Sequence, residues 1–255
     1  MVDNLTAGQF CWVELLTDNI QAAIEFYPSV WDWRAERADE ASDFYTWHCA
    51  GATFGALYQI PEPLTAAKVT PTWLNYIAVD DIEITLAAVD AKGGAVVLGP
   101  VTVGSAGKMA MVKDPEGALF ALWQPLEHFG AVAQQVAGRF CWQEVASRSR
   151  EQAIEFYQGV FGWDIQVEKH AMGERYIFCQ HNKPVASIIQ MTAEWGDTPS
   201  HWMTYFASAD IDADLAQIEA LGGQVCVPAF DMPDVGRIAV VGDPAGVYFS
   251  LLATD

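Results

Sequence analysis

Over residues 10–17, FCWVELLT, bulky apolar positions recur with a period of two, which predicts a half-buried β-strand. Asp18 follows as the expected N-cap of a helix, NIQAAIEFY, whose Ala22, Ile24, Phe26 and Tyr27 supply a mixed apolar face. Segments near 31–37, 43–50 and 53–60 read as three further strands. A second round opens with the strand WLNYIAV at 73–79. A helix then starts near Asp81 and closes at Gly93-Gly94, where a left-handed glycine suits a helix C-terminus. Strands AVVLGPV, KMAMV and ALFALWQ complete it. Asp114-Pro115-Glu116-Gly117 joins the last two, with Pro and Gly where a type I turn prefers them. Each round is therefore a βαβββ module.

The whole pattern then occurs again. GQFCWVELLTDNIQAAIEFYPSVWDW at 8–33 returns as GRFCWQEVASRSREQAIEFYQGVFGW at 138–163, and GKMAMVKDPEG at 107–117 returns as GRIAVVGDPAG at 236–246. A period near 130 residues is too long for a solenoid unit and implies two homologous domains. The expected division is 1–124, a linker at 125–137 with room for a short helical turn, and 138–255.

Composition narrows the function. Thirty-three acidic against thirteen basic side chains give a net charge of −20, which excludes a phosphate-neutralising nucleic-acid surface and favours cationic small molecules. Apolar runs are strand-sized, so no membrane span is expected. The opening MVDNLTAGQF has neither the basic nor the apolar region of a signal peptide, and the five cysteines are odd in number without a CxxC. Both point to a reducing, cytoplasmic setting. Ten tryptophans call for large aromatic surfaces, in cores or around a ligand.

Two βαβββ modules per half, EFY closing the first helix and DPxG before the last strand, resemble the vicinal oxygen chelate superfamily of glyoxalase I, bleomycin-resistance proteins and extradiol dioxygenases. The resemblance implies an α+β fold of two tandem domains. Each would form curved, partly open mixed sheets with helices outside and a cavity between its modules. It also implies where a divalent metal would be held, and the residues at those positions are Trp12, Leu74 and Ala121 in the first half and Trp142, Met203 and Ser250 in the second. The remaining position falls within FGALYQI or VASIIQM, which contain no His, Asp or Glu. Such side chains do not make a transition-metal site. His48, His128, His170, His181 and His201 share no ligand spacing. No metal and no cofactor are expected.

Strand parity then sorts what faces the cavity. Trp12 and Glu14, Tyr76, and Trp123 share that face in the first half; Trp142 and Glu144, Tyr205, and Ser250 share it in the second. Trp73 and Trp202 fall on the opposite face, as core. The tryptophans either plug the former metal site or wall a planar ligand. Glu14 and Glu144, costly to bury on an apolar face and raised in pKa unless partnered, are either general bases or anchors for a cationic ligand, or else structural groups that bond to backbone or pair with Lys108 and Arg237. Three functions remain open: a metal-independent protein binding a small aromatic or cationic molecule in the manner of bleomycin-resistance proteins, a metal-independent isomerase, lyase or hydroxylase-like enzyme using Glu14 or Glu144, and a scaffold with filled pockets. A second copy already attached suggests a monomer whose halves pair in pseudo-two-fold fashion, or a weak homodimer.

Overall fold

The structure, a computed structural model, describes residues 5–38, 42–170 and 173–254. The first half runs β1 (Phe10–Thr17), α1 (Ile20–Val30), β2 (Trp33–Arg37), β3 (Phe44–Cys49), β4 (Ala52–Gln59), α2 (Glu62–Ala66), β5 (Thr72–Ala78), α3 (Ile82–Ala91), β6 (Ala95–Val103), β7 (Gly107–Lys113) and β8 (Leu119–Pro125). The second runs β9 (Phe140–Ser147), α4 (Arg150–Phe161), β10 (Asp164–His170), β11 (Gly173–Gln180), β12 (Lys183–Gln190), β13 (His201–Ala207), α5 (Ile211–Ala220), β14 (Gln224–Met232), β15 (Gly236–Gly242) and β16 (Tyr248–Ala253). Each half builds one open, eight-stranded mixed sheet, ordered β2-β3-β4-β1-β5-β8-β7-β6 and β10-β11-β12-β9-β13-β16-β15-β14. The fold is α+β. Among the described residues no helix is long and apolar enough to cross a membrane.

Local chemistry explains the helix starts, with one correction. Asp81 and Asp210 cap α3 and α5, their carboxylates accepting amides of the first turn. The cap of α1 is Asn19, which accepts from the Ala22 amide at 3.1 Å, rather than Asp18. The chain is still turning at Asp18, and the Asn19 amide itself bonds to the Thr17 hydroxyl. α1 also runs past EFY through Pro28 to Val30. Residues 125–137, all described, contain no helix: β8 ends at Pro125, and the segment is tied instead by the Ala131 amide to the Cys11 carbonyl and the Gln134 amide to the Phe140 carbonyl.

Two compact units emerge, each drawing on both halves. The first comprises residues 1–12, 75–132 and 143–202. Its core packs Ile77, Val112, Phe120 and Leu122 with Leu86 and Val89 of α3, Phe156 and Tyr157 of α4, and Phe178 and Ile188. The second comprises residues 13–74, 133–142 and 203–255, and its core is aromatic. Tyr27, Trp33, Trp47, Trp73, Phe206 and Phe249 form a continuous set of ring contacts there. Trp73 and Trp202 are buried, their indoles donating to the Tyr27 and Tyr157 hydroxyls at 3.1 and 2.8 Å.

Candidate functional site

In the first unit, parity along β5 and β8 brings Tyr76 and Trp123 to one face, with ring centroids 6.5 Å apart. Trp12 joins them through a residue that sequence periodicity did not single out. The His128 ring lies edge-on to Trp12 at 4.8 Å and 6.1 Å from Trp123, whose indole donates to the His128 carbonyl at 2.8 Å. Trp12, Tyr76 and Trp123 are all buried. Loss of hydration holds the imidazole pKa below its ordinary value.

The same unit contains Glu144. Its carboxylate accepts from the Ser187 hydroxyl at 2.7 Å, and the two residues are register partners on β9 and β12. Arg237 is not its partner: that guanidinium pairs with Asp212 at the start of α5, 2.8 Å away. Strand parity also places each base off the cavity-facing row of its own strand. Ile238, not Arg237, is in register with Leu252 on the face carrying Ser250, and Lys108 is likewise in register with Gln124 while its neighbour Met109 partners Trp123. Lys108 belongs to the first compact unit and Glu14 to the second, and Arg237 belongs to the second and Glu144 to the first.

In the second unit, Trp142 packs on a cluster of Cys141, Tyr205, Ile238 and Leu252. Met203, Phe230, Met232 and Val235 surround it. Trp142, Met203 and these three rim residues are only half-buried, whereas Tyr205 is 7 % exposed and Ser250 fully buried, its hydroxyl without a hydrogen-bond partner. The result is an apolar, aromatic-bearing surface, with Ser250 in register with Tyr205 of its buried floor. Cys141 adds no chemistry: its thiol donates to the Tyr205 carbonyl at 3.5 Å, and burial pushes its pKa up to about 12.

Glu14, also in the second unit, is 8 % exposed. Its register partner is Ala56, where Glu144 has Ser187, and the row continues to Thr46 and Glu36. His48 stands beside that row, its ring nitrogens 2.9 Å from the Thr46 hydroxyl and 3.1 Å from that of Thr53, with Glu36 at 3.5 Å.

Neither set of metal positions fits a divalent cation. Trp12, Leu74 and Ala121 offer no lone pair suited to one; Trp142, Met203 and Ser250 offer a thioether and a hydroxyl. Among the described residues no three of His, Cys, Asp or Glu converge as ligands.

The model of the Glyoxalase/Bleomycin resistance protein/Dioxygenase superfamily matches residues 9–122 and again 142–251, and the chain belongs to that family. "Putative glyoxylase CFP32" of Mycobacterium bovis is 34% identical over 245 residues, covering 94% of this chain and 93% of the relative. The anthracycline biosynthesis protein DauV of a Streptomyces species is 28% identical over 257 residues, covering 96% and 93%. Among solved structures, the Mn(II)-bound glyoxalase of Novosphingobium aromaticivorans shares the fold, with a TM-score of 0.66 at 14% identity over 97% of this chain and 82% of its own.

Proposed function

We propose that this chain binds a planar aromatic small molecule, neutral or cationic, without a metal ion, on the Trp142 surface of the second unit. The observation that carries the reading is the half-buried aromatic and thioether rim of Trp142, Met203, Phe230 and Met232 over a buried floor that includes the unbonded Ser250 hydroxyl. Flat apolar ligands are held by such walls through stacking, and one buried polar group fixes their orientation. The net charge of −20 favours a cation over an anion. An anthracycline is itself a planar polycyclic aromatic molecule, so the name of the Streptomyces relative agrees with this class of ligand. Because each compact unit already contains elements of both halves, the proposed working form is the monomer.

Titration with 2-naphthol and proflavine, followed by calorimetry, tests the reading. Trp142→Ala should weaken binding at least about tenfold, the equivalent of about 1.4 kcal/mol. Equal affinity in wild type and Trp142→Ala would end it.

One observation favours a second reading, an enzyme with Glu14 as base: Glu14 is buried in a row with Thr46, beside His48. A carboxylate in low-dielectric surroundings suits proton abstraction. Glu14→Gln should then abolish turnover while leaving 2-naphthol binding intact.

A further inference from the structure

Residues 126–131 run as a strap across the aromatic site of the first unit. At one end the Leu126 and His128 amides bond to the Ala106 carbonyl at 2.9 and 3.1 Å, and Glu127 is joined to the Ser105 hydroxyl. At the other the Ala131 amide reaches the Cys11 carbonyl at 2.6 Å. Between these ties His128 covers Trp12 and Trp123.

Further bonds on the strap run from the Glu127 amide to the Ser105 carbonyl at 3.2 Å and from the Trp123 indole to the His128 carbonyl at 2.8 Å. Leu126 is 52% exposed and Phe129 56%, so its apolar side chains point away from the core. A segment with few buried contacts and a handful of backbone bonds opens at low free-energy cost. Docking also depends on one residue. Gly130 has φ +78°, and a side chain there would run into the Cys11 carbonyl.

We propose that this strap is a displaceable internal occupant, which fills the first aromatic site with the protein's own imidazole and yields it to a planar aromatic ligand. The inference rests on the reading of the chain as an aromatic binder and adds a second, gated site to it. Imidazole against indole is a small-ring version of the contact such a ligand would make, and Trp12, Tyr76 and Trp123 already form its walls. The gate lowers apparent affinity by the fraction of molecules with the strap lifted. The rings facing His128 from β1 and β8 are Trp12 and Trp123, which do not titrate, and Glu127 beside it is engaged by Ser105.

The test uses His128→Ala and Gly130→Val, each placed in full-length Trp142→Ala protein so that the second unit's surface is silent. Acrylamide quenching of tryptophan fluorescence, without ligand, reads whether Trp12 and Trp123 become exposed. Calorimetric titration with 2-naphthol reads whether a site appears. Both variants should quench more readily and bind 2-naphthol about tenfold or more tightly than the Trp142→Ala parent. Unchanged quenching overturns the gate, and increased quenching with 2-naphthol affinity within twofold of the parent overturns the site. Either failure is separate from that of the Trp142 surface, which is judged by wild type against Trp142→Ala alone.

Discussion

The Tyr157 hydroxyl donates to the Asp114 carboxylate at 3.0 Å, joining the EFY signature of the second half to the DPxG signature of the first inside one compact unit. Tyr27 and Asp243 make the same bond at 3.0 Å in the other unit. Each aspartate uses its second oxygen to hold its own turn: Asp114 takes the Glu116 and Ala118 amides, Asp243 those of Ala245 and Val247. Each tyrosine also accepts an indole N–H, from Trp202 and Trp73. Burial, reinforced by the adjacent carboxylate, pushes both phenol pKa values well up, so the hydroxyl stays a donor.

Tyr157→Phe should therefore cost more than one neutral hydrogen bond. It strands a buried carboxylate oxygen and a buried indole N–H. Loss of the charge-assisted bond alone is worth about 1.5–3 kcal/mol. At roughly 2–4 °C per kcal/mol for a chain of this size, the thermal midpoint should fall clearly, and Tyr27→Phe should behave alike. Midpoints within 1 °C of wild type, on a scale of about 2–4 °C per kcal/mol, would contradict this.

Glu116 predicts a pH signature. Burial alone would raise its pKa, but the Ser200 and Ser147 hydroxyls and the Arg148 amide outweigh that and hold it below the usual carboxylate value. A depressed folded-state pKa gives stability that is present above the unfolded value, about 4.3, and lost as pH falls through the folded one. Glu116→Ala should lower the thermal midpoint at pH 7, and the gap from wild type should shrink steadily below about pH 4. The second half has Ala245 in that turn position, so Ala245→Gly should show no such pH dependence.

Glu144 should behave as a structural residue. Glu144→Gln weakens its bond with Ser187 and should shift stability by about 0.5–1.5 kcal/mol while leaving 2-naphthol binding unchanged. Ser187→Ala should reproduce the loss, and the double variant should cost little more than either single one. Full additivity of the two changes would remove the pairing as the cause.

The repeat and the two rounds of strands and helices were legible in the residues themselves, because periodicity and identity are local properties, whereas the metal positions were legible only through the family resemblance. Side-chain partners across strands were not legible. Pairing with Lys108 and Arg237 is one reading the residues allow for the glutamates, yet only the fold shows Arg237 engaged by Asp212 and Glu144 taking the Ser187 hydroxyl. Phe230 and Met232 were invisible for a different reason. The β14–β15 register shifts twice before Phe230, so counting by twos fails there. His128 lies in a segment without periodicity, and nothing short of the fold places it on Trp12.

Metal-independent aromatic binding is tested most directly by calorimetric titration of proflavine into chelator-treated protein, repeated with one equivalent of Mn(II) and with elemental analysis of both samples. The account predicts that the dissociation constant agrees within about twofold, well under 1 kcal/mol, with no stoichiometric metal retained in either sample. Binding that vanishes after chelation and returns with one bound metal per chain would contradict it.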